Sequence, residues 1–339
     1  MKGIVLLGKE QVEIRDGLEK PSIQDDEILI RVKRVGICGS DVESYQTGGM
    51  YIPGNIIGHE FSGEIEDVGA SVKKLKPGMR VTVNPQLPCN ECYWCLQGKE
   101  NMCKLQNYSL GTTENGAMRE YINVKAERAH VLPDNVSYDA GAVVEPLSIA
   151  IYAVRESGFK LGDNAVVFGA GAIGLMTIQV LKAAGASKIY VLEPVESKQK
   201  RALAVGANKV FKPNMWNKIT RLTNKIGPDH IFDCVGAPDT YMTSIQLVKK
   251  GGHITVIGLH VESFEMRGFM QLSLNNITMR GVYGYDQNIF RIAINMLEQG
   301  KINLNEVITK KIKLEEVPEM LNVLAHPPHE EIKVIVDLE

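Results

Sequence analysis

The first 150 or so residues carry their hydrophobic positions in short bursts. EILIRVKRVG, SGEIEDVG and RVTVNP are apolar runs separated by Gly, Pro and Asp-rich turns, the signature of consecutive β-strands. In VKKLKPGMRVTV a Pro-Gly turn precedes an alternating strand. From about residue 155 to about 290 the pattern changes. Apolar strands now alternate with helical periods: NAVVFGAG then IGLMTIQVLKAAGA, KIYVLE then SKQKRALAVGA, HIFDCVG then TYMTSIQLVKKGG, and finally HITVIGLH. Strand and helix in strict alternation predict a parallel sheet covered by helices on both faces, joined by right-handed crossovers. The remainder predicts helices in RIAINMLEQG and EEVPEMLNVLAH and a last strand in IKVIVDLE.

Size and charge narrow this picture. A chain of 339 residues is long enough for about two domains, each with its own core. Its 44% hydrophobic and 23% charged residues are those of a globular protein. The net charge of −2 and pI near 6.4 provide no basic field for nucleic acid or an anionic membrane. The most apolar stretch, AVVFGAGAIGLMTIQVLKAAGA (165–186), is broken by clustered glycines and by Lys182, so no membrane span is expected. MKGIVLLGKEQVEI lacks the apolar core and cleavage site of a signal peptide. The expected location is therefore the cytoplasm, where clustered cysteines more often bind metal than form disulfides.

VVFGAGAIG places Gly169, Gly171 and Gly174 in G-x-G-x-x-G spacing between an apolar strand and an apolar helix, the setting a dinucleotide site requires. Gly169 permits the tight turn, Gly171 admits a pyrophosphate to the backbone, and Gly174 lets helix and strand pack closely. Ile173 opens the helix, whose free N–H groups and positive dipole end face the phosphates. The next strand ends at Glu193, where an acid binds the adenosine ribose hydroxyls and repels a 2′-phosphate. NAD is expected over NADP; Lys198 nearby is the feature that favours the alternative.

NPQLPCNECYWCLQGKENMC (84–103) holds Cys89, Cys92, Cys95 and Cys103. Four thiolates on short turns suit a closed structural zinc site. A ferredoxin-type cluster run has a shorter last gap followed by Pro, whereas here Lys104 follows a gap of seven. Tyr93, Trp94 and Leu96 are expected to pack the lobe. Elsewhere, Cys38 in GICGSD, His59 and Glu60 in GHEFSG, and Glu145 in VVEPLS offer a thiolate, an imidazole and carboxylates for a zinc with an open position.

The order of these motifs, CGSD at 38–41, GHEFSG at 58–63, the four-cysteine segment and GAGAIG at 169–174, resembles that of the zinc-dependent medium-chain alcohol dehydrogenases over essentially the whole chain. The branch most similar is that of the polyol dehydrogenases (sorbitol, xylitol, butanediol, threonine and galactitol-phosphate). The resemblance implies an α/β fold: a GroES-like β-barrel catalytic domain over 1–153 with a structural zinc lobe at 84–104, a Rossmann NAD-binding domain over 154–291, and a return to the catalytic domain over 292–339. The active site would lie in the cleft between the domains, and the protein would be a homodimer or homotetramer with two Zn2+ per chain.

The implied catalytic zinc ligands are Cys38, His59 and Glu60, with Glu145 as ligand or water-held neighbour, and Ser40 passes the alcohol proton outward. Where many relatives continue that relay with His, this chain has Glu43. The implied reaction takes a hydride from a secondary alcohol to NAD+ and gives a ketone. Gly258 and Tyr283 would line the nicotinamide pocket, with Cys234 a packed thiol beside the adenine. Sorbitol dehydrogenases carry an Arg where this chain offers Gly284, which weighs against sorbitol itself. L-threonine or 2,3-butanediol is the alternative substrate, and a non-catalytic NAD-binding protein the alternative outside enzymes.

Overall fold

The computed structural model describes residues 1–339 apart from Met50, Leu87, 106–108, 260–262 and Pro328. The chain divides into two units, one of Met1–Pro146, Tyr285–Gln299 and Ile308–Glu339, the other of Leu147–Gly284 and Gly300–Val307.

The first unit is built on a seven-stranded sheet. Its order is Ile308–Lys313, Lys333–Asp337, Glu27–Gly36, Glu60–Val68, Arg80–Val83, Ala129–Val131, with Tyr121–Lys125 also pairing Glu27–Gly36. Glu27–Gly36 is its organising strand: ten residues long, antiparallel to three partners, with Ile28, Ile30, Val32 and Val35 fully buried. Gly36 pairs with Glu60 at the end of that ladder. A Cβ on Gly36 would stand 2.2 Å from Glu60 Oε2, so only glycine lets this carboxylate fold back over the strand.

The second unit holds six parallel strands in the order Lys209–Phe211, Lys188–Leu192, Asn164–Phe168, His230–Asp233, His253–Val256, Thr278–Gly281. In chain order this is 3-2-1-4-5-6, the doubly wound dinucleotide-binding arrangement. Ala165–Phe168 and His230–Asp233 are buried throughout, as strands covered on both faces must be. The edge strands Lys209–Phe211 and Thr278–Gly281 escape the sequence pattern because they are short and half-exposed.

The expected boundaries at 153/154 and 291/292 differ from the observed ones. The helix Val144–Glu156 spans the first crossing, which falls at 146/147. The helix Gln287–Glu298 lies wholly in the first unit, capped by Asp286 and burying Ile289, Phe290, Ala293 and Ile294. Phe290 meets Tyr285 and His130 there. Residues 300–307 then rejoin the second unit, where Gln179 accepts from Asn303 N–H and Arg201 meets Glu306. The first crossing lies inside a continuous helix, so no turn marks it, whereas the next two fall beside Gly284 and Gly300, both at positive φ. No helix among the described residues is long and apolar enough to cross a membrane.

At the start of the parallel strands, His230 is buried against Phe159, Phe232 and the stacked ring of His253, with Nε2 3.0 Å from Asp163. Burial holds this imidazole below its ordinary value; Asp163 opposes the shift and His253 adds to it. The unfolded chain therefore takes up a proton below about pH 6.5 that the folded chain refuses, and stability falls as pH drops. Urea midpoints measured at pH 7.5 and 5.5 should show this fall, and His230→Asn should make it smaller.

Candidate functional site

Two groups of ligand atoms come together among the described residues. In each, all atoms lie within 4.8 Å of one another: Cys89, Cys92, Cys95 and Cys103 in one, Cys38, His59 and Glu60 in the other.

The lobe brings four free thiols together. Sγ separations are 3.9 Å for Cys89–Cys95, 3.6 Å for Cys92–Cys95 and 3.9 Å for Cys92–Cys103. These are far beyond a disulfide bond. They fit the separation of about 3.8 Å that four sulfurs take around one zinc. Backbone N–H groups of Cys92, Cys89 and Leu105 point at these sulfurs. Backbone donors, led by that of Cys95, lower the Cys92 thiol to about 6, while burial and the neighbouring thiols push Cys95 up to about 12. The expected packing role of Tyr93, Trp94 and Leu96 is overturned: they are 69%, 40% and 70% exposed. A helix of one turn, Tyr93–Leu96, has one inward position, and Cys95 takes it.

The second group is assembled from two strand ends. Cys38 follows Glu27–Gly36 and caps the helix Gly39–Thr47, while His59 and Glu60 lie where Glu60–Val68 begins. His59 shares a hydrogen bond with Cys38, and its Nδ1 lies 3.8 Å from Asp41 Oδ1. That Nδ1 is buried without a hydrogen-bond partner. Asp41 Oδ2 accepts from Cys38 N–H at 2.8 Å, and Tyr51 donates to Asp41 Oδ1 at 3.0 Å. Ser40 Oγ stands 3.2 Å from Cys38 Sγ and 3.0 Å from Tyr51 Oη. Its partners are thus Cys38 and Tyr51, and Glu43 is not among them.

Glu60 is not free. Lys333 Nζ, buried in the last strand, donates to both its oxygens at 2.8 and 2.6 Å and to the carbonyl of Ile37 at 2.9 Å. Glu145 stands outside the close set, hydrogen-bonded with Tyr285. Burial raises its carboxyl to about 7; His59 opposes this and Glu60 adds to it. His59 is itself held well above its ordinary value: burial works against it, but Cys38, Asp41 and Glu145 prevail. Asp41, His59 and Glu145 are each held towards their protonated forms, as expected of a donor set that fits a cation.

In the second unit, Gly169 has φ +85°, and a Cβ on Gly174 would meet Gly169 O at 2.1 Å, while one on Gly171 would meet nothing. The turn, the close packing and the open approach each fall on the glycine expected for it. Ile173 is half-buried beside that opening. Glu193 is buried, accepting from Ala170 N–H at 2.7 Å and Val195 N–H at 2.8 Å, so the acid is tied directly to the glycine loop. Lys198 is half-buried on the following helix. Cys234 packs 3.9 Å from Thr177 Oγ1, and burial pushes its thiol up to about 12. Gly258 lies against Gly236, and Tyr283 is half-exposed.

Sequence reasoning missed Asp41, Tyr51, Tyr285 and Lys333. Only Asp41, inside CGSD, lay close enough in sequence to a named ligand to be suspected.

Family models for an alcohol dehydrogenase GroES-like domain and a zinc-binding dehydrogenase match residues 24–134 and 172–299. The sorbitol dehydrogenase of Bacillus subtilis is 30% identical over 343 residues, covering 99% of this chain and 97% of that protein. The crystal structure of 2R,3R-butanediol dehydrogenase from Bacillus subtilis superposes with a TM-score of 0.91 at 31% identity, over 100% of this chain and 99% of that one. A protein from Sinorhizobium meliloti named as a zinc-binding dehydrogenase, solved bound to NADP, superposes at 0.92 with 27% identity over 99% and 98%. The chain belongs to the zinc-type medium-chain alcohol dehydrogenases, in their polyol branch, with a GroES-like unit and a Rossmann unit. It is an alcohol dehydrogenase.

Removing Lys333 tests how the site is held. Lys333→Met should destabilise the protein by about 3–5 kcal/mol, because it strands the buried Glu60 carboxylate. Lys333→Met combined with Glu60→Gln should recover most of that loss in urea unfolding.

Proposed function

We propose that the protein oxidises a secondary alcohol of a polyol, sugar alcohol or related small molecule to a ketone, with NAD+ as acceptor and zinc in the site. The observation that carries this reading is the convergence of Cys38, His59 and Glu60 with a serine hydroxyl, Ser40, 3.2 Å from Cys38 Sγ. Cys38 and His59 hold the metal. Asp41 steadies His59 from the Nδ1 side. Glu60 belongs to the same close set while paired with Lys333, and Glu145 is the further carboxylate, as ligand or as a neighbour held through water. Bound zinc supplies Lewis acidity that lowers the alcohol's pKa, and the nicotinamide accepts the hydride. Ser40 Oγ accepts the hydroxyl proton as it gives up its own, which is passed outward to solvent. Cys89, Cys92, Cys95 and Cys103 hold a second, structural zinc.

On the cofactor side, Gly169, Gly171, Ile173 and Gly174 receive the pyrophosphate and Glu193 the adenosine ribose. A carboxylate fixed by two backbone N–H groups cannot swing away from a 2′-phosphate, which supports NAD over NADP. Gly258 and Tyr283 line the nicotinamide side, and Cys234 packs behind the adenine side. A homodimer or homotetramer fits the exposed Phe269, Met270 and Leu274 on the second unit. Four free thiols on one lobe suit the reducing cytoplasm.

The test is NADH formation by zinc-loaded protein with D-sorbitol, xylitol, galactitol 1-phosphate, 2,3-butanediol and L-threonine, with NADP in parallel. One NAD-dependent substrate is expected. Cys38→Ser should lower kcat/KM by about three orders of magnitude or more while NADH still binds; unchanged turnover would overturn the zinc assignment. Cys92→Ser should lower the unfolding temperature and act on turnover only through it. Separately, Glu193→Ala should narrow the ratio of kcat/KM for NAD over NADP, chiefly by improving the KM for NADP. An unchanged ratio would count against the role given to this acid.

A further inference from the structure

Tyr51 has no part in the motifs, yet it sits in the middle of the site. Its ring is buried and its hydroxyl touches two groups: Ser40 Oγ at 3.0 Å and Asp41 Oδ1 at 3.0 Å. Asp41 is buried too, and its second oxygen is taken by Cys38 N–H. Each hydroxyl in this chain has one proton to give. Tyr51 gives its proton to Asp41, so it meets Ser40 only as an acceptor. The single proton of Ser40 then has two calls on it, Tyr51 Oη at 3.0 Å and Cys38 Sγ at 3.2 Å. When Tyr51 receives it, the lone pairs of Ser40 are turned towards Cys38 and whatever binds beside it.

We propose that Tyr51 is a positioning residue for alcohol oxidation: clamped on Asp41, its hydroxyl draws the proton of Ser40 and so presents Ser40 Oγ as an acceptor to the substrate's hydroxyl. The proposal rests on the assignment of Cys38 and Ser40 to the reacting centre. Tyr51 touches neither substrate nor cofactor in this scheme. It acts through Ser40, and all donors in the row Ser40, Tyr51, Asp41 point one way. Without the phenol hydroxyl, Cys38 Sγ is the remaining partner of Ser40, and the serine proton is held on the sulfur side. The orientation is a matter of which lone pairs are free, and it needs no change in the ionisation of any group.

The test is a double-mutant cycle on the zinc-loaded, full-length protein with NAD+, using Tyr51→Phe, Ser40→Ala and the pair. The probe is whichever of D-sorbitol, xylitol, galactitol 1-phosphate, 2,3-butanediol or L-threonine is oxidised fastest. Ser40→Ala should lower kcat by about a hundredfold and Tyr51→Phe by about tenfold, with KM within about twofold of the native value. In the Ser40→Ala background, Tyr51→Phe should cost nothing further, because its effect runs through Ser40. Zinc content by mass spectrometry and NADH affinity by fluorescence should match the native protein in all three variants.

A tenfold loss repeated in both backgrounds, or lost zinc in Tyr51→Phe, would make Tyr51 a structural residue and overturn the proposal. So would full activity in Tyr51→Phe while Cys38→Ser remains inactive; that outcome leaves the zinc assignment standing. Should Tyr51→Phe fail to fold, Tyr51→Trp, whose indole N–H can donate towards Asp41 but has no lone pair to accept from Ser40, carries the same cycle. A native protein that oxidises none of these five substrates removes the reading on which the proposal stands.

Discussion

The catalytic unit is organised around one buried ammonium. Lys333 Nζ has three N–H donors and three acceptors, two oxygens of Glu60 and the carbonyl of Ile37. A charge buried with every donor satisfied and a counter-charge at hand can stay ionised. Burial lowers the basicity of Lys333, but Glu60 and Cys38 outweigh it, and the net shift is upward. The geometric consequence is larger than the electrostatic one. Ile37 immediately precedes Cys38, and Glu60 immediately follows His59. By gripping both neighbours, Lys333 sets the thiol and the imidazole side by side, and strand Lys333–Asp337 becomes part of a site otherwise made in the first 60 residues. Gly36 is the concession that lets it happen, since any side chain there would collide with Glu60.

The two clusters of metal-type ligands are built on opposite principles. The lobe draws four sulfurs from a 15-residue stretch with almost no apolar interior, and even its aromatic residues face outward. Its order therefore depends on the sulfurs being held together. The central group takes its members from the ends of strands in a deep hydrophobic core that includes Ile28, Ile30, Val35, Phe61 and Ile335. Its geometry is fixed by the sheet before any ion arrives, which is what a site with an open coordination position requires.

This difference explains what the chain discloses as sequence. Cysteine spacing is local, so the lobe was legible, as was GAGAIG, where Gly169 at positive φ and Gly174 against the Gly169 carbonyl each meet a steric demand within the motif. The six-stranded sheet was largely legible because continuous apolar strands alternate with helices. Lys333 was not, since its partner lies 273 positions away and a lysine in IKVIVDLE reads as an ordinary exposed position. Tyr51 was hidden in an irregular segment with no period. Tyr93, Trp94 and Leu96 misled because apolar character was taken for burial, whereas a single helical turn can bury only one residue. The first domain crossing was displaced because it runs inside the continuous helix Val144–Glu156, where no turn residue marks it.

Electrostatics binds these observations together. Around Cys38 stand three carboxylates, those of Asp41, Glu60 and Glu145, against the fixed charge of Lys333. The titratable neighbours respond as they must. His59 is held towards its protonated form by Cys38, Asp41 and Glu145 against the cost of burial, and Glu145 is raised to about 7 by burial with Glu60 adding to it. His59 and Glu145 are thus held towards the forms that carry a proton, and a divalent ion that took either as a ligand would displace that proton. Lys333 keeps Glu60 out of that exchange by satisfying it already. One carboxylate is thereby committed to the scaffold and the other left adjustable, although the two residues carry the same side chain.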